Sequence, residues 1–126
     1  MPVFTHTTVG TNNLDKARKF YDAVLAPLGL KRIMDMDRGS AWGTEAPEFF
    51  VLMPLDGNAA TSGNGCTVGF RAPNRAAINE FHKIALALGG TDEGAPGPRP
   101  FAPDAYAAYF RDLDGHKILA SCMTPE

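Results

Sequence analysis

Shifted by 61 residues, this chain reads onto itself without a gap: Asn13 falls on Asn74, Phe20 on Phe81, Leu25 on Leu86, Ala26 on Ala87 and Gly29 on Gly90. An offset near half of a 126-residue chain means two copies of one strand-helix unit, neither of which buries its apolar face alone. The hollow between the copies is therefore the natural place for a site. The same shift sets His6 opposite Thr67, so one copy holds a metal-ligand type where the other holds a hydroxyl.

Each copy has the same local grammar. Val3 to Val9 is rich in β-branched residues and ends at Gly10, which suits a strand with Phe4, His6 and Thr8 on one face and Thr5, Thr7 and Val9 on the other. Leu14, Ala17, Tyr21, Val24 and Leu28, joined by Phe20 and Leu25, recur at helical spacing, with Asn13 as N-cap and Gly29 as the left-handed stop. Pro27 should distort the last turn of that helix. Short apolar segments over 30–36, 40–44 and 48–53, separated by Asp37-Arg38-Gly39 and Ala46-Pro47, complete a strand, helix and three strands. A polar, glycine-rich stretch from Pro54 to Gly65 links the copies.

The second copy runs from Cys66 to Arg71 as a strand, then to a helix capped by Asn74 and ended by Gly89-Gly90. Its later strands are weaker. Thr91 to Ala95 is a short strand candidate and Pro96 to Pro103 a proline-stiffened loop. Ala105 to Arg111 and Lys117 to Met123 form a hairpin about the Asp114-Gly115 turn. The fold class is thus α+β: two repeated βαβββ modules, 1–54 and 66–126, joined by a linker over 54–65 in a single domain.

Charge and composition exclude several functions. A formal net charge of −2 with no basic run leaves nothing to neutralise nucleic-acid phosphates or an anionic membrane. Apolar residues make up 44% of the chain but never run unbroken over the ~18 residues a membrane span needs. The opening Met-Pro-Val-Phe-Thr-His lacks the basic and apolar regions of a secretory leader, and the expected location is the cytoplasm. Cys66 and Cys122 are too few for a disulfide framework and read as small apolar strand residues.

Four motifs in this order resemble the vicinal oxygen chelate superfamily, the glyoxalase, bleomycin-resistance and extradiol dioxygenase group. They are His6 in the first strand; Asn13-Leu14-x-x-Ala17-x-x-Phe20-Tyr21 with Leu28-Gly29; Thr67-Val68-Gly69-Phe70-Arg71; and Asp112-Leu113-Asp114-Gly115-His116-Lys117-Ile118. The resemblance implies that the two modules curl their sheets into a cupped, barrel-like mixed sheet with helices outside. It also implies a divalent cation held by His and Glu side chains, which need three or four donors converging at about 2.0–2.2 Å. Of the positions so implied, only His6 carries a ligand. Thr67 stands where the family has His, Leu119 where it has Glu, and the fourth-strand position falls among Phe50, Val51 and Leu52. The expectation is a site without the usual metal, since one imidazole does not hold a catalytic ion.

His6 then has two readings: a histidine hydrogen-bonded to a neighbouring hydroxyl or carbonyl, or a metal-independent proton carrier. Trp42, Phe50, Leu52, Thr67, Tyr109, Leu119 and Ser121 are either packing between modules or the lining of a largely apolar small-molecule pocket, with Tyr106 as a further candidate. Arg99, in the proline-rich loop, is either solvated or reaches over the rim to an anionic substrate. His82 and His116 read as surface residues, and Asp112 and Asp114 as turn carboxylates. Two function classes follow: a metal-free lyase or isomerase using His6, or a non-catalytic protein that sequesters a small organic ligand or drug. A metal enzyme with ligands recruited from Glu45, Glu48 or Asp56 is the third reading. A homodimer is expected, two-fold pairing being the commonest assembly.

Overall fold

The computed structural model describes residues 2–126; Met1, which the first module's range includes, lies outside them. The first module consists of β1 (Thr7–Gly10), α1 (Leu14–Leu25), a 3-10 turn over Ala26–Leu28, β2 (Lys31–Met36), β3 (Gly39–Gly43) and β4 (Phe49–Leu52). The second repeats it as β5 (Val68–Arg71), α2 (Arg75–Ala87), β6 (Thr91–Pro98), β7 (Tyr106–Arg111) and β8 (Lys117–Cys122). The strand orders are β1-β4-β3-β2 and β5-β8-β7-β6, with β1 parallel to β4 and β5 parallel to β8. Two βαβββ modules are thus present, as the repeat requires.

Local chemistry sets the helix limits. The side chain of Asn13 accepts the Lys16 amide and that of Asn74 the Ala77 amide, satisfying N–H groups that the first turn leaves without partners. Pro27 sits in the 3-10 turn, and Gly29 closes it at φ 85°, a left-handed conformation that suits glycine.

The strand limits differ from the sequence expectation in three places. β1 starts at Thr7, not Val3, because its partner β4 begins at Phe49 and offers no ladder to the preceding residues. β5 starts at Val68, the residue opposite Ile118. β6 continues through Pro96 to Pro98, where the proline-rich loop had been expected. As an outer edge strand with register shifts at Asp92/Gly94 and Gly94/Gly97, it tolerates proline's missing N–H.

The two modules share one core. Phe20 of α1 packs edge-on to Phe110 of β7 at 5.7 Å between ring centroids, Phe81 of α2 lies 4.8 Å from the same ring, and Phe49 meets Phe70 at 5.2 Å. Helices α1 and α2 also contact each other, so both lie on one side and the opposite faces of the two sheets form the cup. Strands β1 and β5 border a common seam.

Candidate functional site

Strand alternation, fixed by register, decides which side chains face the cup. In β4, Phe49 and Val51 are buried against the helices, so Phe50 and Leu52 stand on the other face. Phe50 is opposite Thr8 and Ala41, and Leu52 is opposite Gly10 and Gly39. In β8, Ile118, Ala120 and Cys122 are buried, leaving Lys117, Leu119 and Ser121 facing the cup. Leu119 is opposite Gly69 and Tyr109. Thr67, just before β5, alternates onto the same side. Of the expected lining residues, the structure brings Phe50, Leu52, Thr67, Tyr109, Leu119 and Ser121 to the cup face.

Trp42 is a correction. Its side chain is wholly buried on the helix side, its ring packs near Tyr21 and Phe49, and its indole N–H donates to Asp22 at 3.0 Å. The cause is parity in β3, where Ser40 and Trp42 both turn towards α1: the Ser40 hydroxyl accepts from Arg18 at 2.7 Å. Tyr106 likewise packs against the core, and its hydroxyl donates to Asn79.

His6 is exposed and lines a cleft of about 500 Å³ together with Thr44, Glu48, Leu30, Val68 and Phe70. The Thr5 hydroxyl engages its Nδ1 at 2.9 Å, which leaves Nε2 for a ligand. Its ring stands edge-on to Phe50 at 5.0 Å. Phe49 pairs with Thr7 as Ile118 pairs with Val68, so Phe50 is the module-one counterpart of Leu119. Both positions where a carboxylate would reach an ion are thus apolar.

The alternative acidic ligands do not gather at His6. Glu48 lines the same cleft, but its carboxylate accepts the Thr44 amide and hydroxyl at 3.1 and 3.2 Å. Glu45 is exposed, and Asp56 accepts the Asn58 amide in the linker turn, which holds its carboxyl below the usual range. Among the described residues no group of three or more His, Cys, Asp or Glu side chains is placed to hold a metal ion. The donor set at the cup, one imidazole against a phenyl ring, does not fit the divalent site that the resemblance implies.

Arg99 lies back over sheet two. Its guanidinium donates to the carbonyls of Ala95, Gly97 and Pro98 and rests 5.6 Å from the Tyr109 ring centroid. Lys117 approaches the same ring at 5.2 Å. Lys117 escaped the sequence reading, although plain alternation from Leu119 would have placed it on the cup face.

The motif about the β7–β8 turn joins the modules. Asp112 is buried, accepts the Tyr21 hydroxyl at 2.5 Å with one oxygen, and takes the amides of Asp114 and His116 at 2.9 Å with the other. Burial pushes the Asp112 carboxyl above the carboxylate range, against the opposing pull of these donors. Burial, then the charge of Asp112, raises the Tyr21 phenol well above its usual value and keeps it a donor. His116 is also buried rather than exposed, its Nε2 2.7 Å from the carbonyl oxygen of Gly10. Asp114 accepts the Asn12 amide at 2.8 Å. His82, expected at the surface, is buried beside Asp92 with Nε2 to Oδ1 at 2.9 Å.

Comparison with known proteins agrees with this architecture. A family model described as the Glyoxalase/Bleomycin resistance protein/Dioxygenase superfamily matches residues 3–119. The crystal structure of a glyoxalase/bleomycin resistance protein from Albidiferax ferrireducens T118 is 39% identical and covers 95% of this chain and 98% of its own, at a TM-score of 0.88. A glyoxalase/bleomycin resistance protein/dioxygenase family enzyme from Burkholderia phytofirmans PsJN is 17% identical, with 95% and 98% coverage and a TM-score of 0.73. The fosfomycin resistance protein FosX from Mesorhizobium loti is 17% identical, with 98% and 94% coverage and a TM-score of 0.67. At such identities these last two likenesses concern the fold alone. No protein of curated function matches the chain.

Proposed function

The chain belongs to the Glyoxalase/Bleomycin resistance protein/Dioxygenase superfamily, and from that membership we propose that it binds a small organic molecule in the cup between its modules. The observation that carries this reading is the cup face itself. Phe50, Leu52, Leu119 and Tyr109 supply apolar area, and one exposed imidazole, His6, stands against Phe50 with no hydrogen bond to Nε2 among the described residues. That is the composition of a ligand site, apolar with few polar anchors. The chemistry assigned to it is metal-independent proton transfer in a lyase or isomerase reaction, with His6 as the proton carrier. In support, an imidazole moves protons without an ion. His6 meets the Phe50 ring, and Glu48, the carboxylate that lines the same cleft, is engaged by Thr44.

The sequestering alternative shares the same cup and differs only in what His6 does. No described side chain beyond the Thr5 hydroxyl engages His6, which favours a binding role over a tightly oriented base. Mass spectrometry of ligand co-purified with the protein, followed by assays of that ligand with wild type and His6→Ala in the presence of EDTA, separates the readings. The catalytic reading requires turnover that survives EDTA and disappears in His6→Ala. Binding that persists in His6→Ala with no product at all selects sequestration. Turnover abolished by EDTA overturns the metal-free reading. We also propose a cytoplasmic, two-fold dimeric state. Among the described residues no helix is long and apolar enough to cross a membrane.

A further inference from the structure

The two halves of the cup are chemically unlike. On sheet one, Met34 is opposite Ala41, which is opposite Phe50, and Met36 is opposite Gly39, which is opposite Leu52. Those rows carry no charge. Of the arginines of this module, Arg18 and Arg32 pair with Asp35 and Asp22, while Arg38, which donates to the Met53 carbonyl, lies near Leu52 and Thr8.

Sheet two carries basic side chains on its cup face, beside the uncharged row of Gly69, Leu119 and Tyr109. Arg99 and Lys117 rest against the ring of Tyr109, and neither has a carboxylate partner among the described residues. Arg111, on the same face, is paired with Glu93 at 2.6 Å, and Arg71, opposite Ser121, is exposed there. The Arg99 position is built rather than incidental. A Cβ on Gly94 would approach its Nη2 at 3.2 Å and one on Gly97 its Nη1 at 3.3 Å, so two glycines of β6 leave the floor on which the guanidinium lies. Three backbone carbonyls fix it there without neutralising it. Thr67, which precedes β5, lines a second cleft at the seam together with Thr8.

We infer that the ligand of the cup is an organic anion with an apolar body. Its oxyanion head is held by Arg99 and Lys117 beside Tyr109, and its body lies on Leu119, the residue opposite Tyr109. The inference rests on the reading of the cup as a small-molecule site and adds the charge class. A guanidinium already fixed by carbonyls loses little freedom on binding an oxyanion, and an ammonium against the same ring adds a second donor. The aromatic face stabilises both cations while the cup is empty.

The test uses the whole chain and three probes: 3-phenylpropionate, its neutral isostere 3-phenylpropanamide, and inorganic phosphate. Binding is followed by chemical-shift changes of the methionine, leucine and threonine methyls. The expected result is that 3-phenylpropionate shifts Leu119 and binds at least about tenfold more tightly than the amide. Arg99→Gln and Lys117→Met should each weaken the acid more than the amide and so remove most of that difference. Inorganic phosphate should compete with the carboxylate but not with the amide. Equal affinity for acid and amide, both mapping to the cup, overturns the anion inference and leaves the small-molecule reading standing. Shifts confined to the outward-facing Leu86 and Leu88, or no binding by either organic probe, overturn the inference, and the former also counts against the cup. Lys117→Met touches no backbone carbonyl, so it remains informative if Arg99→Gln unfolds the loop.

Discussion

Removing one oxygen atom at Tyr21 tests how the modules are locked together. In Tyr21→Phe the ring keeps its packing against Phe20, Trp42 and Phe49, at centroid distances of 5.1, 5.7 and 4.9 Å. The variant loses the hydroxyl that donates to the buried Asp112 carboxylate. A hydrogen bond to a charged group contributes about 1.5–3 kcal/mol, and the acceptor left behind stays buried, so the expected cost at pH 7 is about 2 kcal/mol. For a chain of this size that corresponds to a fall in Tm of roughly 6–10 °C. The sign with pH follows from Asp112, whose carboxyl is raised by burial. A raised carboxyl binds more protons folded than unfolded, so its contribution favours the folded state at low pH and is lost as pH rises through its folded-state value. The Tyr21 hydroxyl opposes that loss by stabilising the carboxylate. The cost of Tyr21→Phe should therefore shrink as pH falls through the Asp112 titration, because a protonated carboxyl no longer needs the donor. Urea denaturation of both proteins across this range measures it. A cost below about 0.5 kcal/mol at pH 7, or one that does not change with pH, refutes the reasoning.

Trp42→Ala empties a wholly buried position and should cost about 3–5 kcal/mol, whereas Phe50→Ala on the cup face should cost about 1 kcal/mol; equal costs in chemical denaturation would mean that the strand parity is wrong. Asp92 is held below the usual carboxylate range by the Gly94 amide and by His82, so the stability it contributes is present above its unfolded-state value and lost as pH falls through the folded one. Asp92→Asn should accordingly flatten the acid limb of the stability profile, and an unchanged limb in the urea midpoints would contradict that assignment.

The repeat offset exposed the architecture because helix caps and stops are local. Asn13, Asn74 and Gly29 act within one turn of themselves, so their roles survive without knowledge of the fold. Where a strand begins is not local: Thr7 and Val68 start β1 and β5 only because β4 and β8 supply partners there. Trp42 shows the same limit. A short strand of small residues, Gly-Ser-Ala-Trp-Gly, gives no alternation from which to choose a face, and the choice is made by Arg18 and Asp22 on a helix some twenty positions away. His116 and Asp112 read as turn residues because their partners, Gly10 and Tyr21, belong to the other module. Arg99 was legible as a candidate, but its seat on Gly94, Gly97 and Tyr109 depends on β6 running on through Pro96 as an edge strand.

The central claim is that the cup works without the family's divalent centre, its second histidine and its carboxylates being replaced by Thr67, Phe50 and Leu119. Elemental analysis of protein purified without chelator, compared between wild type and His6→Ala, tests this most directly. The account predicts far less than one equivalent of any divalent metal in both proteins. One equivalent in wild type that is lost in His6→Ala would contradict it.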